Sequence, residues 1–218
     1  MKLSEIWRYP VKSMAGERLA AAELRKGGIE GDRVVQVWDE RNRLLTARTH
    51  PRLLGHRATS GEDGEPRVDG LAWVDPEVTR LVEAAAGRGS RLRRYEGEER
   101  FDILPLLVAT DGSLSAFGRD ARRLRPNLVI SGVEGLAERE WEGRALRVGR
   151  AVVGLADLRG CCVMTTFDPD TQAQDVGVLR DIARRFDGRL CLNAAVVEPA
   201  RIEVGDEVEL LGAWNPGE

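Results

Sequence analysis

The segment richest in chemistry is Arg159-Gly160-Cys161-Cys162-Val163-Met164-Thr165-Thr166-Phe167-Asp168-Pro169-Asp170-Thr171. The aliphatic run before it, from Ala151 to Leu158, predicts a strand that delivers two thiols to a loop ending in hydroxyls, a carboxylate and a proline turn. A thiolate is a soft ligand for zinc, copper or a heavier transition metal, and it is also a nucleophile. Structural zinc wants about four nitrogen, sulfur or oxygen ligands. The chain has three cysteines, no Cys-x-x-Cys, and only His50 and His56, so structural zinc is not expected. The plainer reading of Cys161 and Cys162 is a pair of small apolar residues at a strand end.

A second segment, Tyr9-Pro10-Val11-Lys12-Ser13-Met14-Ala15-Gly16, places an ammonium and a hydroxyl on a loop just after a strand, a pairing suited to phosphate. It lacks the Gly-x-x-x-x-Gly-Lys spacing of a nucleotide-binding loop. In a third, Arg125-Pro126-Asn127 precedes the aliphatic run Leu128-Val129-Ile130. If the segment is extended, residues two apart share a face, so a guanidinium fork and a carboxamide face one way. That pair suits a phosphate or the polar edge of a heterocycle. Gly31-Asp32-Arg33 and Thr46-Ala47-Arg48 each offer an arginine to a pocket, with a surface ion pair as the plainer alternative. Thr110-Asp111-Gly112-Ser113 reads as a helix N-cap, whose free backbone N–H groups also suit an anion. The chain has only three lysines (Lys2, Lys12 and Lys26) among 33 basic residues, so a single arginine is weak evidence for a site.

The elements that must position these groups are mostly strands. Leu3 to Tyr9, Leu19 to Leu24, Arg33 to Asp39 and Leu44 to Ala47 predict short strands, continuing to about residue 73 as a small barrel or curled sheet. A helix is expected over Pro76 to Ala86, capped by Asp75 and ended by Gly87. The charged stretch from Gly87 to Arg100 marks the boundary between two halves, neither self-sufficient, so they are expected to pack closely. Beyond it, strands are expected at Leu104 to Ala109, Leu128 to Ser131, Ala145 to Val148, Leu190 to Val197 and Glu207 to Leu211. Helices are expected at Leu114 to Arg123 and Val176 to Arg185. The fold class is α+β and β-rich. With 218 residues, 42% hydrophobic and 32% charged, the chain reads as a soluble globular protein. No apolar run approaches a membrane span, and the N-terminus has no signal-peptide core, so no membrane partner is expected. A net charge of −3 argues against a general nucleic-acid binder. So few cysteines imply a reducing cytoplasm.

Taken in order, these segments resemble the MOSC family (molybdenum cofactor sulfurase C-terminal domain), in particular its members with an N-terminal MOSC β-barrel domain. Tyr9-Pro10-Val11-Lys12-Ser13 with Gly16, then Asp32-Arg33 and Thr46-Ala47-Arg48, follow the family's N-terminal signatures. Arg125-Pro126-Asn127 and Cys162-Val163-Met164-Thr165-Thr166 with Asp168-Pro169-Asp170-Thr171 follow its later ones, and the likeness runs on to Gly205-Asp206-Glu207-Val208. The resemblance implies a small β-barrel-like domain over residues 1–90, packed on a MOSC-type β-barrel with inserted helices over 91–213. It implies a site for the molybdenum cofactor, a molybdenum ion on a phosphorylated pyranopterin dithiolene. By motif position Cys162 is the protein's thiolate to the metal and a catalytic residue. Lys12 and Ser13 hold the phosphate. Arg33, Arg125 and Asn127 bind the pterin, with Thr110 as a neighbour. Asp168 is a candidate proton shuttle, beside its plainer reading as the residue that fixes the Pro169 turn.

The relatives most alike in function are amidoxime reductases, which implies two-electron reduction of small N-hydroxylated or N-oxygenated compounds. Two departures stand out. Cys161 occupies the place where better-known reductases have an arginine. Three cysteines are also too few for a four-cysteine iron–sulfur cluster, so electrons are expected from a separate donor protein. Two other readings stay open: a non-catalytic carrier of the cofactor or a persulfide sulfur-transfer protein acting through Cys161 and Cys162, and a MOSC-like fold without cofactor.

Overall fold

The computed structural model describes residues 1–214, apart from the side chain of Glu98. The protein is α+β and β-rich, and its frame is one eight-stranded sheet. In spatial order the strands are Val208–Ala213, Arg144–Val148, Ala151–Gly160, Arg189–Glu198, Leu106–Thr110, Leu128–Ser131, Lys2–Arg8 and Glu17–Leu19. All neighbours are antiparallel except Leu106–Thr110 and Leu128–Ser131, which run parallel. An antiparallel bridge between Lys2 and Glu207, with Leu3 N–H donating to Asp206 O at 2.9 Å, joins the seventh strand back to the first and closes the sheet into a barrel. Closure removes the exposed edges that an open sheet would present.

The barrel interior is an aliphatic core that includes Leu3, Ile6, Leu106, Ile130, Leu155 and Leu192. Leu3 and Ile6 lie three apart, a spacing that strict alternation would send to opposite faces. The register against Leu128–Ser131 shifts between Leu3 and Glu5, and this irregularity turns both side chains inward. A second core, including Val11, Met14, Val35, Val37, Val78 and Val82, fills the N-terminal half. Helix α1, Pro76–Ala86, covers it with Val78, Val82 and Ala86, and its Asp75 cap accepts from Glu77 N–H as its sequence predicts.

Strands cross between the halves in both directions. Lys2–Arg8 lies within the large sheet, Arg91–Arg94 pairs with Val35–Trp38, and Ala21–Arg25 pairs with Arg201–Glu203.

On the outside of the barrel, α2 (Asp111–Phe117) and α3 (Gly177–Phe186) pack Phe117, Val178, Ile182 and Phe186 against Leu107, Ala109 and Leu190. The helix expected to run to Arg123 stops at Phe117. Gly118 is left-handed (φ 68°) and donates its N–H to Leu114 O as the terminal hydrogen bond, and Asp120 then caps a separate 3-10 turn over Ala121–Arg123. The break frees Arg122 and Arg123 from a helix surface. The strand expected to end at Leu158 continues to Gly160, carrying the backbone to the cysteine pair.

At Gly16 the backbone passes so close to Tyr9 that an added Cβ would lie 2.5 Å from the ring and 2.4 Å from Arg8 O. Gly16→Ala is expected to lower stability by roughly 1–3 kcal/mol through overpacking. A denaturant-unfolding midpoint equal to that of the wild type would contradict this close approach.

Candidate functional site

One cleft gathers residues from most of the motifs. Lys12, Ser13, Arg33, Arg48, Asp102, Arg123, Arg125, Arg159, Cys161 and Cys162 line it, around about 680 Å³ of empty space with its open mouth included. The loops that deliver them leave strand ends. Lys12 and Ser13 follow Lys2–Arg8, Arg125 precedes Leu128–Ser131, and Cys161 and Cys162 follow Ala151–Gly160. Ser13, Arg33 and Arg125 have φ of 72°, 56° and 59°, the left-handed region that side chains other than glycine seldom occupy. Three such residues lining one cleft are a local cost of the kind found at functional sites.

The thiol end is built on a 3-10 turn over Val163–Thr166. Cys162 stands at its N-terminus with its carbonyl accepting from Thr165 N–H and the Thr165 hydroxyl, and its side chain makes no capping bond. The Cys162 thiol is half-buried and adjoins the Arg48 guanidinium. Burial opposes the charge of Arg48, but hydrogen bonds and charge from Asp102 and Cys162 outweigh it and hold the guanidinium firmly protonated. Cys161 lines the same cleft, its thiol pushed up to about 11 by burial, so it is a neutral thiol at ordinary pH.

Three cations converge on Asp102. Lys12 Nζ lies 2.9 Å from Asp102 Oδ1, while Arg48 and Arg159 reach Oδ2, the latter at 3.5 Å. Lys12 Nζ also donates to Arg100 O at 2.7 Å. Burial drives the Lys12 ammonium below its usual range, against the pull of Asp102. For Asp102 burial acts to raise the carboxyl, and the hydrogen bonds and charges of Arg48 and Lys12 overcome it, leaving it well below the usual carboxylate range. Ser13 Oγ accepts from Ala47 N–H at 3.0 Å, which fixes the Thr46-Ala47-Arg48 loop and leaves the hydroxyl proton to donate.

Two of the arginines rest on Tyr9. The Arg125 guanidinium carbon lies 4.1 Å from its ring centroid and that of Arg33 5.1 Å. Burial, helped by neighbouring Arg33, lowers Arg125 to about 10. Its Nη2 is buried without a hydrogen-bond partner. Burial also raises the Tyr9 phenol, whose hydroxyl donates to Pro126 O at 3.0 Å, so the ring stays neutral beneath the two cations.

Lys12, Ser13, Arg33, Arg125 and Cys162 are therefore brought together, and three other predicted residues are not. Asn127 lies one layer beneath, fully buried. Its Oδ1 accepts from Leu107 N–H at 3.1 Å, and its Nδ2 donates to Trp7 O and Asp32 Oδ2. Thr110 caps α2 with Ser113 and donates to Glu138 Oε2, away from the cleft lining. Asp168 is also absent from that lining. Its Oδ1 accepts from Asp170 N–H, Thr171 N–H and the Thr171 hydroxyl, its Oδ2 pairs with Arg123 at 3.0 Å, and those bonds hold the carboxyl below its ordinary value. A carboxylate occupied in this way fixes the proline turn. Asp102, Arg123 and Arg159 were missed. Asp102 stands in the charged connection between the halves, where no motif marks it, and the two arginines were hidden in an arginine-rich chain. His56, which lacked a visible partner in sequence, lies 2.7 Å from Asp69, outside the cleft.

A model of the MOSC N-terminal beta barrel domain matches residues 1–79, and one of the MOSC domain matches 111–209. The chain is 26% identical to human mitochondrial amidoxime-reducing component 1, over 96% of this chain and 83% of that protein. It is 27% identical to mitochondrial amidoxime reducing component 2 of Macaca fascicularis, over 87% of this chain and 72% of that protein. Among solved structures it is similar to the YUAD protein of Bacillus subtilis (12% identity, TM-score 0.48, covering 98% of this chain and 96% of that one). Among the described residues no helix is long and apolar enough to cross a membrane.

The Asp102 cluster sets a pH dependence. Its carboxyl lies below its ordinary value of 3.8 in the folded state, so its contribution to stability is complete above that pH and fades as pH falls below it. Asp102→Asn is expected to cost about 2 kcal/mol at neutral pH, the worth of a charged hydrogen bond, by leaving Lys12 without its counter-charge. Unfolding of both proteins from pH 7 down to pH 2 should show this difference shrinking below about pH 4.

Proposed function

This chain belongs to the MOSC family, with a MOSC N-terminal β-barrel domain ahead of its MOSC domain, and on that premise we propose that it binds the molybdenum cofactor and reduces N-oxygenated compounds. The observation that carries the reading is the placement of a half-buried thiol, Cys162, in one cleft with Lys12, Ser13, Arg33 and Arg125. The names of the amidoxime-reducing relatives support the reductase part of it.

The residues present fit such a group. Among the described residues no three His, Cys, Asp or Glu side chains converge as a metal site. A metal here would have to arrive with most of its own ligands, as a dithiolene-bound metal does, and take a single thiolate from the protein. The cleft is strongly cationic, which suits a phosphorylated ligand. The orphaned Arg125 Nη2 is a buried donor in want of an acceptor, which a pterin edge would supply.

In this reading Cys162 is the protein's ligand to the metal. Lys12, Ser13, Arg48 and Arg159 meet the phosphate, with Asp102 as their counter-charge, and Arg33 and Arg125 hold the ring system over Tyr9. Asn127 is a positioning residue, since it fixes the backbone on which Arg125 and Tyr9 stand. Arg48, beside the Cys162 thiol, provides the fixed charge that Cys161 does not. The bound cofactor supplies the two-electron chemistry that the polypeptide lacks. Overall, an N–O bond breaks, two electrons and two protons are consumed, and water leaves, the electrons coming from a separate donor protein. A sulfur relay through both thiols is less well supported, because burial keeps Cys161 protonated.

Expressed in a host that makes the cofactor, the protein is expected to carry molybdenum and to reduce benzamidoxime with an added electron donor. Cys162→Ser should lose turnover by about 100-fold or more and lower the metal content. Undiminished molybdenum and turnover in that variant would overturn the reading.

A further inference from the structure

A second, wider cleft adjoins the thiol cleft and shares Arg123, Arg125 and Met164 with it, enclosing about 1310 Å³ with its open mouth included. Part of its wall is ring surface. Trp7 is stacked on Tyr9 (6.5 Å between centroids, planes 14° apart), and Phe167 and Pro169 also line the space. Five arginines line it with a single acid, Asp170.

Much of that charge is already matched. Arg122 is held by Asp120 and Asp170, Arg123 by Asp168, and Arg18 by Glu5. Two guanidinium groups are not. Arg57 is exposed, and its side chain makes no hydrogen bond or ion pair among the described residues. Arg125 keeps its unpartnered Nη2 at the junction of the two clefts. The unmatched positive charge therefore lies at Arg57 and Arg125, in a cleft that Trp7, Tyr9 and Phe167 also line. Trp7, Arg57 and Phe167 take no part in lining the thiol cleft, so the proposed cofactor does not account for them.

We propose that this second cleft is the substrate site and that it selects planar aromatic compounds bearing an acidic group. The aromatic ring packs against Trp7 and Phe167, the acidic group pairs with Arg57, and the N–O end points toward Met164, where the clefts meet. Stacking and apolar contact reward any flat ring. The exposed Arg57 guanidinium favours an anion over a neutral compound by about two- to fivefold, the ordinary worth of one exposed ion pair. The N–O chemistry rests on the reductase reading, but the preference for an aromatic anion does not.

The test uses the cofactor-loaded protein without an electron donor, so that binding is measured in the absence of turnover. Titration calorimetry with benzamidoxime and with 4-carboxybenzamidoxime should show the carboxylate binding about two- to fivefold more tightly, with the preference weakened by added salt. Arg57→Ala should bring the ratio close to one, and Arg57→Glu should reverse it. Equal binding of the two compounds to the wild type, or a preference that survives Arg57→Ala, would overturn the proposal even where benzamidoxime is reduced. An Arg57-dependent preference in a protein that reduces neither compound supports the site and removes the reductase reading instead.

Discussion

The site depends on one buried carboxylate. Asp32 is fully enclosed, and its oxygens accept from Tyr9 N–H at 2.7 Å, from the Arg33 guanidinium and from Asn127 Nδ2 at 3.3 Å. Each donor belongs to a different motif, so one charge ties the loop after the first strand, the turn before Val35–Trp38 and the entry to Leu128–Ser131 to a common point. Asn127 extends the tie, bonding to Leu107 N–H and to Trp7 O. An ion enclosed this way is tolerated only when its hydrogen bonds are complete, and removing one partner of a buried pair costs about 3–5 kcal/mol. The same constraint that stabilises the junction therefore fixes where Tyr9, Arg33 and Arg125 can be.

Around that anchor the protein solves a problem of charge. Cations gathered in one cleft repel one another. Arg125 and Arg33 are held over the Tyr9 ring, where a neutral π face accepts Arg125 without neutralising it, while Arg33 is also paired with Asp32. Lys12, Arg48 and Arg159 share Asp102. Arg125 is thus kept available by an aromatic ring, whereas Arg33 and the group at Asp102 are kept in place by carboxylates, and all of them lie on loops braced by the closed barrel beneath.

The barrel supplies the rigidity. Strands from both halves are interleaved in it, and the bridge from Lys2 to Glu207 closes it. Loops leaving its strand ends inherit fixed starting points, which is why segments more than 140 residues apart, around Lys12 and Cys162, line one space. A smaller cluster of Ala47, Leu54 and Phe167, with Met164 against it, packs the arginine loop onto the cysteine turn and leaves Met164 where the two clefts join.

Much of this was legible before folding. The alternation of Arg33 to Asp39, the Asp75 cap and Gly87 stop of the first helix, and the strand running into Cys161-Cys162 are local signals, set by propensity and by hydrogen bonds between near neighbours. The motif residues were legible as types able to meet a phosphate, a ring edge or a soft metal. What the sequence could not carry was distance. Whether Asp168 faces the cleft or spends its oxygens on its own turn, whether Thr110 caps a helix or meets a ligand, and which of many arginines remain unmatched depend on partners far along the chain. Asp102, with no motif around it, acquires its place only because the closed barrel brings Lys12, Arg48 and Arg159 to meet it. Residue type and local spacing determine what each group is able to do, whereas tertiary closure decides which groups act together, because electrostatic and packing interactions depend on separation in space and not along the chain.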